Sequence, residues 1–400
     1  MKVKRLLAAL MAATLIAGVT ACGGGSKDSA SSASSSTSEG PSGTEAKKDL
    51  TVWTAGSDNV RQMFEILVDD FNTNSEYAGT YKATNSHMLS GTGGATYPDS
   101  LVAAFKSGQK NSNYDVCEIN ADDWSKVLSQ VNVEDMFIKL DASKLPNCAG
   151  IVAEQAQATE YIQAYRGTTV LLAYNSDKVT DVPETIDELL AWIKANPGRF
   201  AYNVPGTGGA ADAFCRTLVY NFLPEEAATS DDEKWAEEWD EGFALLKDIH
   251  SSMYKSGGSI VYPNKNQGAL DLLAQGEIDM CPMWADMVLS QRAAGTVPAN
   301  IKLASVTPAF TGSVCGHIIP TFGSNIEGAY AWINYMASED AQKLLVQHMA
   351  AIPLIDVSNM DMTGYEDLMD IDVTAFRTMS IGDLGTVFNE KWDNEIGILG

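Results

Sequence analysis

Short apolar segments alternate with amphipathic segments from about residue 49 to the C-terminus. Residues 50–53 predict a first strand, and the segment that follows has its apolar side chains on one helical face from about Asn59. No internal repeat of about 20–50 residues is visible, which excludes solenoids and propellers. Because strands that alternate with helices form mainly parallel sheets, the pattern predicts an α/β fold.

The same periodicity predicts the other elements of the body. Thr185 and Glu188 fit a capping box at the start of a helix that stops at the Asn-Pro-Gly sequence of residues 196–198. Strands are predicted at residues 114–119, 168–174, 199–202, 278–280, 301–306 and 314–319, and helices at 97–106, 211–222, 233–251, 267–275, 326–336 and 339–349.

The first 22 residues have the order of a secretory leader. Lys2, Lys4 and Arg5 precede an uncharged and mostly apolar stretch at residues 6–19, which is shorter than a membrane span of about 20 apolar residues. The small residues that end at Cys22 resemble the lipobox of bacterial lipoproteins, which implies lipidation of Cys22 and cleavage before it. An ordinary signal peptide with an unmodified cysteine is the alternative.

Residues 23–44 consist almost entirely of Gly, Ser, Ala and Thr, and they predict a flexible tether. We therefore expect a signal peptide at 1–21, a lipid anchor and linker at 22–48, and a body at 49–400 that is long enough for two lobes. This order predicts a bacterial protein held at the outer face of the cytoplasmic membrane.

The chain is acidic, with a formal net charge of −25. Binding of nucleic acid needs basic patches, so the charge argues against a nucleic-acid partner. It also argues against a body that lies on anionic lipid, which leaves the lipid anchor as the expected contact with the membrane.

The cysteines beyond Cys22 form no Cys-x-x-Cys pattern, so a zinc site has little support. They are interpreted as small buried side chains, with room for at most two disulfides. No metal and no cofactor is predicted. These five cysteines are Cys117, Cys148, Cys215, Cys281 and Cys315.

Several stretches in a fixed order resemble the extracellular solute-binding proteins of bacterial ABC importers. The resemblance covers essentially the whole body and includes the branch of thiamine-, polyamine- and iron-type binders. The stretches are residues 115–120 followed by Trp124, residues 166–177, 196–202 and 275–280, and the late helix start at 337–342.

This resemblance implies a two-lobed, periplasmic-binding-protein-like fold of type II, with mainly parallel sheets and crossover hinge strands. It places lobe 1 at residues 49–165 with 313–350, and lobe 2 at 166–312 with 351–400. The crossings are expected near residues 165–169 and 312–317. It also implies a small solute in the cleft and the permease subunits of an ABC transporter as partners.

Two loops contain the same sequence, Gly-Thr-Gly-Gly-Ala, at residues 91–95 and 206–210. Each precedes a predicted helix, and glycine lets a backbone approach a ligand while helix N-termini offer free N–H groups. The alternative is that both loops are merely permissive for turning. The candidate ligand-binding residues in them are Thr92, Gly93, Gly94, Gly208 and Gly209.

Aromatic and polar residues that follow predicted strand ends form the second candidate set. An aromatic wall with one carboxylate suits a flat or cationic ligand. The alternative for each of these tryptophans is packing in the core, and the alternative for Asp286 is a role as a surface charge or a helix cap. The candidates are Trp53, Asn120, Trp124, Tyr202, Asn203, Trp284 and Asp286.

A binding protein without chemistry is the leading hypothesis. An enzyme on the same fold, with Cys117 as a thiaminase-like nucleophile, is one alternative, and a surface adhesin or signalling lipoprotein is another. Adjacent strand residues point to opposite faces, so only one of Cys117 and Glu118 can line the cleft, and a structural Cys117 is preferred. The expected solute is thiamine-like, zwitterionic or a polyamine rather than a sugar.

Overall fold

The structure is a computed structural model, and it describes residues 46–89, 96–151, 159–356, 358, 360–363 and 377–399. The described strands are β1 (Lys48–Gly56), β2 (Tyr81–Leu89), β3 (Val116–Ile119), β4 (Gln163–Asn175), β5 (Lys255–Ser256), β6 (Ser259–Ile260), β7 (Met280–Trp284), β8 (Ile301–Ala304), β9 (Thr311–Ile318) and β10 (Arg377–Thr378).

The described α-helices lie between and after these strands. They are α1 (Asp58–Thr73), α2 (Tyr97–Lys106), α3 (Ala121–Leu128), α4 (Val133–Met136), α5 (Ile186–Ala195), α6 (Ala210–Tyr220), α7 (Asp240–His250), α8 (Lys265–Ala274), α9 (Ala285–Ala293), α10 (Ile326–Met336), α11 (Glu339–Met349) and α12 (Leu384–Glu395). The predicted α/β class is confirmed.

One sheet contains eight of the strands, in the order β2-β1-β3-β9-β4-β7, with β10 beside β9 and β8 beside β4. β1 pairs in parallel with both β2 and β3. β9 pairs antiparallel with β3 and with β4, and β7 and β8 both pair antiparallel with β4. Parallel strands thus form one side of the sheet, and the strands that connect to the other side run antiparallel.

The long strand β4 belongs to both sides of the molecule. Its first half pairs with β9, from Gln163 opposite His317 to Thr169 opposite Gly312. Its second half pairs with β7 and β8 instead. Tyr165 packs in the core formed by β1, α1, α10 and α11, whereas five residues later Val170 packs in a different core.

The two sets of cores surround the two ends of β4. Apolar side chains of α1, α10 and α11 pack on one face of β1 and β3, and those of α2 and α3 pack on the other. Helices α5, α6, α7 and α12 surround the second core, and α8 and α9 pack on β7 and β8. The fold is therefore two-lobed, with β4 and β9 passing between the lobes.

Helices with a clear apolar face match the prediction best. The bounds of α2, α10 and α11 agree with the predicted ranges, and Thr185 and Glu188 form the capping box that their spacing predicts. The strand predicted at residues 199–202 is wrong, because Phe200 makes only isolated bridges to Met253 and Met280. The helix predicted at 233–251 divides into a 3-10 helix at Glu233–Glu238 and α7.

All five cysteines of the body are free thiols, so no disulfide forms among them. Four are buried and Cys148 is half-buried, which agrees with small core side chains. Within the described ranges, no helix combines the length and the apolarity that a membrane crossing requires. The predicted leader, Cys22 and the tether lie outside the described residues.

Candidate functional site

Glu118, in β3, is a buried carboxylate that two consecutive residues of β4 contact. Tyr165 donates a hydrogen bond from Oη to Glu118 Oε1, and Arg166 Nη2 lies 3.3 Å from the same oxygen. Arg166 Nε also donates to Tyr165 Oη at 2.9 Å. The side chains of Arg166 and Glu118 are only 5% and 7% exposed, so this ion pair is desolvated.

A β-bulge explains how neighbouring residues reach one carboxylate. Ala164 pairs with Gly316 and Arg166 pairs with Cys315, so Tyr165 has no partner across the ladder. In a regular strand the two side chains would point to opposite faces, and a bulge removes that alternation. Gln342 provides a partner for the backbone of this bulged residue: its Nε2 donates a hydrogen bond of 2.7 Å to the Tyr165 carbonyl oxygen.

A row of polar residues crosses the sheet at Glu118. Thr54 pairs with His87 and contacts its Nδ1 at 2.8 Å, and the register of β1 with β3 puts Thr54 beside Glu118. On the other side, Glu118 pairs with His317, which pairs with Gln163. Glu118 Oε2 and His87 Nε2 are buried and have no hydrogen-bond partner among the described residues.

His317 is a fully buried member of this row. Its Nε2 accepts a hydrogen bond of 3.2 Å from Trp332 Nε1. Burial, reinforced by the positive charge of Arg166, lowers the pKa of His317 to about 3. The imidazole is therefore neutral at physiological pH, which leaves Arg166 as the fixed positive charge beside Glu118.

Asp286, in the first turn of α9, lies close to the same cluster. Trp284 pairs with Val170, so the chain that continues from β7 into α9 runs back along β4 towards Arg166. Asp286 is 6% exposed, and its Oδ1 accepts a hydrogen bond of 2.9 Å from the Met287 amide. Burial raises the pKa of Asp286, and attraction to Arg166 opposes that rise.

Trp284 meets the second glycine loop directly. Its Nε1 donates a hydrogen bond of 3.0 Å to the carbonyl oxygen of Gly208. Gly209 has a φ of +90°, and a Cβ there would lie 3.0 Å from Trp284 Cζ2. Only glycine combines this conformation with so close an approach. Three of the predicted site residues, Trp284, Gly208 and Gly209, are thus in contact.

Two amides that the sequence predicts to be free at the start of α6 are already occupied. The Ala210 amide donates to Asn266 Oδ1 at 3.2 Å, and the Ala211 amide donates to Asn203 Oδ1 at 3.2 Å. The fully buried Asn203 therefore holds the loop rather than lining an open surface. This occupancy weakens the expectation of an anion site at this helix N-terminus.

Tyr202 is a core residue, which corrects its assignment to the cleft. Its side chain is fully buried and packs on Phe214, with ring centroids 5.2 Å apart. Its Oη accepts a hydrogen bond of 3.2 Å from Trp392 Nε1. The alternation that predicts residue 202 at a strand end fails because this segment forms no strand.

The remaining candidates of the first lobe have packing or capping contacts of their own. Trp53 stacks on Tyr114 at 4.5 Å and is half-buried. Trp124 packs on Phe137 at 5.2 Å, and Asn120 Oδ1 caps α3 by accepting from the Asp123 amide at 3.0 Å. No described contact joins these three to Trp284. Thr92, Gly93 and Gly94 lie outside the described residues.

Sequence reasoning missed Glu118 and Arg166 as site residues, although both lie in the stretches that carry the resemblance. The available signal was a single charged residue inside each otherwise uncharged strand. Cys117, which points away from Glu118, packs in the core with α2 and α3. Burial raises the pKa of this thiol to about 12, so it lacks the thiolate character of a nucleophile.

The described part of the chain contains no group of three or more His, Cys, Asp or Glu residues that could hold a metal ion.

Comparison with protein families matches residues 94–363 to the model of the bacterial extracellular solute-binding proteins. Solved structures with a similar fold include binding proteins. A periplasmic thiamin-binding protein superposes with a TM-score of 0.62 at 14% identity, over 90% of this chain and 98% of that chain. A comparison with curated protein sequences finds no match.

Two further structures extend the same likeness. The apo ferric ion-binding protein A of Pasteurella haemolytica has a TM-score of 0.63 at 13% identity, over 88% of this chain and 99% of that chain. A putative spermidine/putrescine ABC transporter protein of Listeria monocytogenes has a TM-score of 0.57 at 14% identity, with the same two coverages of 88% and 99%. At such identities the likeness shows the fold alone.

Proposed function

Because the chain belongs to the bacterial extracellular solute-binding proteins, we propose that it captures a small solute between its lobes and delivers it to an ABC permease. The protein is held outside the cytoplasmic membrane by a lipid on Cys22, and residues 23–48 are its tether. Its body makes no contact with nucleic acid and none with lipid. The anchor keeps the receptor close to the permease, where its local concentration is high.

The observation that carries the proposal is the passage of β4 and β9 through both lobes. Two antiparallel strands that connect rigid lobes form a hinge, because small changes in a few backbone dihedral angles move one lobe against the other. We place the hinge near residues 165–169 and 312–317, within the stretch where these strands pair. The lobes are 49–165 with 313–350, and 166–312 with 351–400.

The solute occupies the cleft beside Trp284 and Asp286. Trp284 is half-buried at the start of α9, so part of its ring surface remains accessible to a solute. Asp286 supplies a carboxylate two residues later. An aromatic ring beside a carboxylate favours a flat or cationic solute, and a thiamine-like or zwitterionic molecule fits this pair better than a sugar.

The protein performs no chemistry on its solute. The thiol that an enzyme of this fold would need is Cys117, and its burial and raised pKa remove its reactivity. A surface adhesin would have no need of a desolvated ion pair in the hinge region.

Native mass spectrometry of protein purified without dialysis tests the proposal. A tightly bound solute should appear as an added mass that is lost when the protein is denatured. Small-angle scattering before and after re-addition of the released molecule should then show a smaller radius of gyration. The proposal fails if no small molecule binds under any condition, or if saturation with a bound one leaves the scattering unchanged.

A further inference from the structure

We propose that Glu118 and Asp286 together recognise one cationic nitrogen of the solute, and that Arg166 is the built-in counter-ion that sets the charge of this subsite. The inference rests on the proposed function and names the chemical class of the solute. It follows from an unpartnered carboxylate oxygen, from the balance of charges around it, and from the placement of the two acids on different lobes.

The first observation is that Glu118 uses only one of its two oxygens. Oε1 accepts hydrogen bonds from Tyr165 and Arg166, whereas Oε2 is buried without any partner in the described chain. An ionised carboxylate is a pure acceptor, and leaving it unpaired in a desolvated place is costly. A group that satisfies Oε2 must therefore donate a hydrogen bond, and a positively charged donor satisfies it best.

The second observation is the charge balance. Of two buried carboxylates, Glu118 is paired with Arg166, and Asp286 lies on the chain that runs back along β4 towards the same guanidinium, so one negative charge is left uncompensated. His87 adds no positive charge at physiological pH, because burial lowers its pKa. An anion would be repelled here, and a neutral sugar would leave the negative charge unbalanced.

The third observation is where the two acids are attached. Glu118 is in β3, which packs in the cores of the first lobe, and Asp286 lies in the first turn of α9, which packs on β7 and β8 of the second. Two carboxylates brought together by closure repel each other unless a cation lies between them. A cationic nitrogen that bonds both would therefore stabilise the closed form specifically, which links recognition to hinge motion.

The same balance limits the number of charges on the solute. With Arg166 in place, one positive charge neutralises the cluster, and a second would have no partner within it. The subsite is thus suited to a molecule with a single quaternary or protonated nitrogen, such as a thiamine-like or zwitterionic compound, rather than to a polyamine.

Thermal denaturation with a panel of probes of different charge tests the inference. The probes are thiamine and choline as monocations, 4-aminobutyrate as a zwitterion, putrescine as a dication, glucose as a neutral sugar and succinate as a dianion. We expect the melting temperature to rise with at least one molecule that has a single cationic nitrogen, and to rise less with putrescine. Stabilisation by glucose or succinate alone overturns the inference but leaves the proposed function intact. Absence of stabilisation by every one of these probes also overturns the inference, whereas the proposed function is tested separately by native mass spectrometry of the undialysed protein.

Matched variants locate the effect. Glu118→Gln keeps an acceptor for Tyr165 and removes the charge, so the dissociation constant of the stabilising probe should rise roughly ten- to a hundredfold. Glu160→Gln changes the net charge equally at an exposed ion pair with Lys139, and should leave affinity unchanged. Equal affinity of wild type and Glu118→Gln overturns the inference. Asp286→Asn provides the second measurement if Glu118→Gln does not fold, and unchanged affinity in it counts equally against the subsite.

Discussion

Arg166 Nε donates a hydrogen bond of 2.9 Å to the Oη of Tyr165, the residue that precedes it in the chain. Neighbours in a regular strand do not meet in this way, and the bulge in β4 makes it possible. As a result, one phenol and one guanidinium are both fixed on Glu118 at the place where the chain passes between the lobes.

Replacement of Arg166 by methionine should destabilise the protein by about 3–5 kcal/mol, because it leaves Glu118 and Asp286 buried without a counter-ion. Urea unfolding followed by circular dichroism measures the loss. The matched control is Arg61→Met, since Arg61 pairs with Asp58 and Glu65 on the surface, and it should remain near wild-type stability. Similar stability of Arg166→Met and wild type would show that the cluster is solvated.

Gly209→Ala should destabilise the protein more than Gly295→Ala. Both glycines have a positive φ, of +90° and +74°, so both substitutions carry backbone strain of about 1–2 kcal/mol. Only at Gly209 would the new Cβ also press on Trp284, because Gly295 faces open space. Melting temperatures of the two variants compare these costs directly. Equal losses would mean that the Trp284 ring moves aside freely.

Acid should destabilise the protein partly through His317. Its pKa is about 3 in the folded state and 6.5 when unperturbed, so between these values the unfolded chain binds the extra proton. Stability from this residue is therefore complete above pH 6.5 and falls by about 1.4 kcal/mol for each pH unit below it. His317→Gln, which keeps an acceptor for Trp332, should lose this slope. Unfolding curves between pH 7 and pH 4 that remain parallel for both proteins would contradict the assignment.

Asp286→Asn should weaken solute binding roughly ten- to a hundredfold without unfolding the free protein. Burial raises the pKa of Asp286 in the folded state, so its ionised form opposes folding at neutral pH. The variant should accordingly be at least as stable as wild type at pH 7. As the pH falls, the free energy of unfolding of wild type should increase relative to that of the variant. Calorimetric titration and melting curves test both parts, with Asp271→Asn on the exposed face of α8 as the control. A fall in melting temperature at pH 7 would identify Asp286 as a structural residue instead.

Cys22→Ser should release the protein into the medium or leave its leader uncleaved, because the sequence ending at Cys22 predicts the attachment of the lipid. Fractionation of cells and mass spectrometry of the N-terminus distinguish the two results. The control is Cys148→Ser, which changes a half-buried thiol of the body and should leave the protein at the membrane. Normal processing and retention of Cys22→Ser would refute the anchor.

The sequence predicts the fold well where one periodicity dominates. Helices α10 and α11 follow from their apolar faces, and the structure caps them with Asn325 and Ser338. Strand β2 is not predicted from the sequence. Its residues 84–87 are Thr, Asn, Ser and His, so apolar and polar side chains do not alternate there. That strand lies at the edge of the sheet, where pairing with β1 alone is sufficient.

The site is predicted less completely, for a physical reason. Trp284 and the glycine loop follow from the rule that ligands lie beyond strand ends, and the structure does bring them into contact. The contact of Arg166 with Glu118 depends on the bulge at Tyr165. That bulge is visible only in the register with which β4 pairs with β9. The strand pattern also predicts wrongly that Tyr202 lies in the cleft, because a periodic pattern does not indicate whether a side chain faces the cleft or the core.

Strand β4 has a consequence for how the protein denatures. Tyr165 and Val170 are five positions apart in one strand, yet they are packed in the cores of different lobes. Melting of either core therefore pulls apart a backbone ladder that the other core needs. Although its length would allow two independent transitions, the body should unfold in a single step by heat or urea, and damage to one lobe should expose the other to proteases.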